Sequence, residues 1–152
     1  MYAIAGVLIA LAVGISTVML TSSPVSKSSA SSVPHDSMGM MHIHPHISLM
    51  IDGKAATVPA QIGIDPTLWN MHMLDSYGMT GMAPLHTHDA SGMIHVESYK
   101  DRDYTLGELL AIWGMQFDNY DVKVTVDGNP ISDYGSHVFK DGEKIVVNIT
   151  TK

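Results

Sequence analysis

Cysteine is missing from the chain, which removes disulfide frameworks, thiolate zinc sites and cysteine nucleophiles from consideration. Basic charge is also scarce. Eight lysines and arginines, scattered along the sequence, stand against fifteen acidic residues for a formal charge of -7; that balance excludes nucleic acid and anionic lipid surfaces as electrostatic partners. Two enzymatic signatures are missing as well: there is no His-Glu-x-x-His run, and no glutamate follows a histidine pair at cupin spacing. What the chain has instead is nine histidines and twelve methionines in 152 residues. Any bound metal must be held by imidazole, carboxylate or thioether, and methionine adds a preference for soft ions such as Cu(I).

The longest uncharged run comes first. From Ala3 to Leu20, "AIAGVLIALAVGISTVML" would extend ~27 Å as a helix at ~1.5 Å per residue, close to the thickness of a bilayer core. A transmembrane anchor over residues 1–21 is the expectation; a secretory signal peptide and a pilin-like assembly helix are the alternatives. The basic n-region of a signal peptide is missing, although Ser28-Ser29-Ala30 resembles a cleavage site. Ala3, Gly6, Ala10 and Gly14 recur along one side of that helix and permit close approach of a partner helix. Residues 22–41, rich in Ser, Pro and Met, have too little apolar area to order themselves and are expected to form a flexible tether. Lys27 alone does not fix topology, so placing the rest of the chain outside the cytoplasm rests on the signal-like start.

Residues 42–152 carry the folded domain, enough for one modest core. "HISLMI" alternates and predicts a strand, with Asp52-Gly53 after it as a two-residue hairpin turn into "KAATV". Asp65-Pro66 offers a cap and a first-turn proline for a short helical piece through "TLWNMHML". "TLGELLAIWG" is the best helix: Thr105 and Glu108 have capping-box spacing, Leu106, Leu109, Leu110 and Trp113 form a stripe, and Gly114 can end it. "VKVTV" and "KIVVNI", each beside an Asp-Gly pair, supply two more strands. The expected fold class is α+β: a mostly antiparallel sheet with one covering helix, in β-grasp-like order, preceded by the N-terminal transmembrane helix.

Histidine is concentrated in two short segments. In "PLHTHDASGMIHVE", residues 84–97, His86 and His88 lie two apart, which on a strand puts both rings on one face with Cα atoms ~6.6–7 Å apart. The position of His95 depends on the turn. If Asp89 and Gly92 flank a two-residue loop, His86 lies opposite His95, and His86, His88, His95 and Glu97 share one face while Leu85, Thr87, Ile94 and Val96 share the other. A type I turn with a glycine bulge would send His95 to the opposite side. The first register separates polar from apolar residues and is the expectation. Glu97, Asp89 or Asp101 would orient the ring N–H groups. A set of surface histidines on a polar sheet face is the plain alternative.

The second segment, "MGMMHIHPH", alternates His42, His44 and His46 behind Met38, Met40 and Met41. His46 opens a strand and would complete the hairpin site; His42 and His44, beyond Pro45, are expected on a mobile arm suited to copper capture. A solvated linker is the bland reading. Met71, Met73, Met79, Met82 and Met115 lie near apolar runs, where thioethers fill gaps. His35, His72 and His137 stand alone and are expected to be structural or solvated.

Three stretches in order, "HIHPHISLMIDGKAATVPAQIGI", "GMAPLHTHDASGMIHVES" and "YTLGELLAIWG", resemble a family of small exported or membrane-tethered His-rich domains over about residues 42–150. The resemblance implies that His42, His44, His46, His86, His88, His95 and Glu97 belong to a shared pattern, and carries no activity with it. The functional expectation is a membrane-tethered extracytoplasmic module binding copper or zinc for buffering, delivery or sensing. A metalloenzyme with three histidine ligands and an open coordination position, and an accessory subunit of a membrane copper-enzyme complex, are the alternatives.

Overall fold

A computed structural model describes residues 40–152. The expected anchor and most of the tether lie outside the described residues, among which no helix is long and apolar enough to cross a membrane. The described part is a mixed α+β domain with eight strands and one α-helix among those residues.

The larger sheet grows from two alternating segments. β2 (His46–Ile51) directs Ile47 and Leu49 inward, 2% and 6% exposed. It turns through Asp52 and Gly53, both at positive φ (48° and 75°), into β3 (Lys54–Ala56). Positive φ at both central residues is the two-residue hairpin geometry that an Asp-Gly pair tolerates. β6 (Tyr120–Val126) turns the same way at Asp127-Gly128 into β7 (Asn129–Ile131), an edge strand whose Pro130 obscures it in the sequence. β8 (Lys144–Thr151) runs antiparallel to β6 and parallel to β2, giving the order β3-β2-β8-β6-β7. The sheet is therefore mixed, with one parallel pairing at its centre. Ile145, Val147 and Ile149 of β8 are at most 4% exposed, and each such side chain contributes roughly 1.5–3 kcal/mol by burial.

The helix α1 (Leu106–Trp113) forms where its spacing predicts. Thr105 accepts from the Glu108 backbone N–H while the Glu108 carboxylate accepts from the Thr105 N–H, and Gly114 ends the helix at φ 83°. Its buried face is Leu106, Leu109, Leu110 and Ile112, with Trp113 only partly covered. The piece after Asp65 is shorter than expected: a 3-10 turn at Pro66–Leu68, followed by a second at Asp75–Tyr77.

A second, three-stranded antiparallel sheet consists of β1 (Met41–Ile43), β5 (His95–Ser98) and β4 (Leu85–His86), with β5 in the middle. β1 corrects the expected mobile arm. Met41 and Ile43 are 4% and 2% exposed, and their burial pins the segment against β5. Met41 is thereby a core side chain and not a thioether on a free tether.

Candidate metal centre

The register of the small sheet puts the donor residues in one layer. β5 pairs His95 with His86 of β4 and Glu97 with His42 of β1. Because neighbouring residues on a strand face opposite ways, these four side chains share a face. On the other face Leu85 and Val96 are fully buried, with Met41 and Ile43 beside them. The segregation of polar from apolar residues thus selects the register with His86 opposite His95.

The hairpin itself is wider than a two-residue loop. Beyond His86 and His95 the arms part, each drawn to a different neighbour. Thr87 turns to residues 59–62: its N–H donates to Ile62 O, its hydroxyl accepts from Ile62 N at 3.0 Å and donates to Pro59 O at 2.8 Å. On the other arm Ile94 N donates to Pro45 O, and Ile47 N donates to Gly92 O at 2.8 Å. Gly92 is at φ +87°, and a Cβ there would lie 2.2 Å from Ile47 O, so only glycine allows the loop to lie against β2.

Two overlapping groups of donors result: His86, His88, His95 and Glu97 in one, and His42, His44, His95 and Glu97 in the other, with one ligand atom per residue within 4.8 Å of the rest of its group. His86 is the deepest, 0% exposed. Its Nδ1 lies 2.9 Å from Ala83 O; a carbonyl only accepts, so Nδ1 carries the proton and the neutral ring presents the Nε2 lone pair to the cluster. Burial, opposed by the Ala83 hydrogen bond and the Glu97 charge, pushes the His86 pKa down to about 4. The His95 pKa is lowered too, by burial first and by His88 next. Both rings are accordingly neutral, and able to donate to a metal, at pH 7.

The spacings match ligands around a common cation. Two ligands at about 2.0–2.1 Å from a tetrahedral ion are about 3.3 Å apart. His86 Nε2 and His88 Nε2 are 3.2 Å apart, and His95 Nδ1 lies 3.3 Å from Glu97 Oε1. Glu97 Oε2 is 3.9 Å from His86 Nε2. The clearest sign is His42 Nε2, a buried atom with no hydrogen-bond partner although Glu97 Oε1 is only 2.8 Å away. These donor groups are able to hold a metal ion.

The remaining residues fall elsewhere. His46 belongs to neither group: its ring edge lies beside Gly92, because Ile47 and Leu49 take the inward positions of β2. Asp89 is also in neither; its carboxylate accepts from Ser91 N at 2.8 Å and closes the loop. Hydrogen bonding from Ser91 holds its pKa below the usual carboxylate value. Glu97, expected as an orienting partner, stands within both donor groups. His137 is structural, its Nε2 3.0 Å from both oxygens of buried Glu143, and His72 pairs with Asp75. Local sequence gave no signal for Ala83 O as the group that fixes the His86 tautomer, nor for the bonds of Thr87, since both arise from the chain folding back. Comparison with protein-family models, with curated proteins and with solved structures returned no match for the chain.

Proposed function

We propose that this protein is a metal-binding module that takes up a divalent cation, copper or zinc, at His86, His88, His95 and Glu97, and that it buffers, delivers or senses that ion. The observation that carries the reading is the His86 ring, buried, neutral and locked by Ala83 O with its Nε2 aimed at His88 and Glu97. An imidazole and carboxylate set suits Zn²⁺ and Cu²⁺. The soft-ion preference of the methionines recedes, since Met41 is packed in the core. Exchange of the ion, as opposed to permanent retention, is supported by the graded exposure of the site: His86 forms its floor, while His88 is exposed and His95 partly so.

The apolar run from Ala3 to Leu20 and the Ser- and Pro-rich segment after it support a tethered arrangement at a membrane, with the domain outside the cytoplasm. Resemblance to exported and membrane-tethered His-rich domains points the same way. The test is equilibrium titration of the metal-stripped chain with Zn²⁺ and Cu²⁺, beside a His86/His88/His95→Asn triple variant. Loss of at least a hundredfold in affinity is expected in the variant; equal affinities in the two proteins would overturn the proposal.

A further inference from the structure

The small sheet holds six donor residues, two more than a tetrahedral ion uses. They come from three strands in a fixed order: His42 from β1 and His44 just after its end, His95 and Glu97 from β5, His86 from β4 and His88 from the loop that leaves it. Strands in a sheet are spaced by about 4.8 Å, so β1 and β4 stand about 9–10 Å apart with β5 between them. Side chains can converge across that gap, but here the ligand atoms do not: each group that closes within 4.8 Å takes its outer histidines from one outer strand only. The donor atoms divide accordingly, into one group on each side of β5, and only the two β5 residues belong to both.

The carboxylate of Glu97 is placed to serve both sides. Its Oε1 is 2.8 Å from His42 Nε2, on the β1 side, and its Oε2 is 3.9 Å from His86 Nε2, on the β4 side. The rings continue around it at centroid separations of 4.5 Å for His42 and His44, 4.8 Å for His44 and His95, 4.5 Å for His95 and His88, and 4.8 Å for His88 and His86. The unpartnered Nε2 of His42 belongs to the outer group and is not used by an ion held at His86 and His88. Resting on the reading of this cluster as a metal site, we propose that it holds two divalent cations, one between His86 and His88 and one between His42 and His44, with the two oxygens of Glu97 bridging them. His95 joins one of the two.

Bridged two-metal sites place their ions about 3.5–4 Å apart. At that separation two dications repel and one carboxylate neutralises only part of their charge. Binding is therefore stepwise, and the floor site, with the buried and tautomer-locked His86, fills first.

The experiment is metal stoichiometry by native mass spectrometry and elemental analysis of the full chain loaded with Zn²⁺, together with electron paramagnetic resonance of the Cu²⁺ form. Two equivalents are expected for the wild type and one for a His42→Asn/His44→Asn variant, which leaves His86 and His88 intact. The two-Cu²⁺ form should show the half-field transition of a coupled pair, and Glu97→Gln should abolish that signal. A single equivalent in the wild type, unchanged in the His42/His44 variant, overturns the two-ion proposal while leaving the single-site module standing. No bound metal overturns both. Two equivalents with only isolated Cu²⁺ spectra overturn the bridge. Circular dichroism of each variant separates loss of an ion from loss of fold.

Discussion

Acidification should destabilise the metal-free protein through His86. Burial pushes its pKa from 6.5 down to about 4, so in the unfolded chain the ring takes a proton near pH 6.5 while in the folded chain it resists until about pH 4. Stability rises with pH wherever the unfolded state binds more protons. The contribution is thus fully present above pH 6.5 and is lost as pH falls through the window from 6.5 to 4. One pH unit of pKa difference corresponds to about 1.4 kcal/mol, which puts the whole effect at about 3 kcal/mol and the part lost between pH 7 and pH 5 at about 2 kcal/mol. His95, lowered in the same direction, adds to it.

Urea unfolding of the chelator-treated protein at pH 7 and pH 5 measures this. With an m-value of about 1–2 kcal/mol/M, the midpoint should fall by roughly 1–2 M over that range. The reference is His86→Asn, whose side-chain amide can still donate to Ala83 O but does not titrate. Its stability at pH 7 is lower because it fills less of the buried site, and that loss cancels when the two pH values are compared. The variant should show a pH dependence smaller by about 2 kcal/mol. Equal pH dependence in the two proteins would refute the placement of His86 as a buried neutral ring. The same neutrality serves the proposed function: at pH 6 a cation entering the cluster displaces no proton from His86, so competition from acid is reduced at the deepest ligand.

Three further outcomes are expected. Thr87→Val removes the hydroxyl that serves Ile62 N and Pro59 O; stranding one buried donor and one partly buried acceptor should cost about 1–3 kcal/mol in chemical unfolding, and metal affinity should fall because His86 and His88 flank that position. Gly92→Ala places a Cβ against Ile47 O at positive φ and should destabilise by about 2 kcal/mol or more in the same assay, whereas Gly53→Ala, with open space around it, should cost only the conformational part. Saturation with Zn²⁺ at 100 times its dissociation constant should stabilise the fold by about 2.7 kcal/mol, read as a rise in Tm that chelator reverses.

Local chemistry wrote much of this fold plainly. The Asp-Gly pairs at 52–53 and 127–128 form tight turns because both residues can adopt positive φ. Thr105, Glu108 and Gly114 mark both ends of α1 within ten residues of each other, and the hairpin register follows from keeping Leu85 and Val96 away from water. These are interactions between near neighbours. The parts that were not legible depend on distant partners: β2 lies parallel to β8 about a hundred residues later, and alternation along each strand is silent about which neighbour it will take. β7 was hidden by Pro130, which is tolerated because the strand lies at the sheet edge.

The arm carrying His42 and His44 shows why the candidate site was only half visible. "MHIH" alternates like a strand, yet with only three paired residues, a proline at 45 and methionines ahead of it, nothing local distinguishes an edge strand from a solvated linker. Its partner decides. Once Met41 and Ile43 are buried against β5, His42 is carried opposite Glu97, and a residue that within the hairpin could only support His95 becomes the centre of the cluster. The pairing of β1 with β5 therefore determines whether this chain presents one set of donors or two. That is why substitution at His42 and His44, and not at the more conspicuous hairpin histidines, separates the two cases.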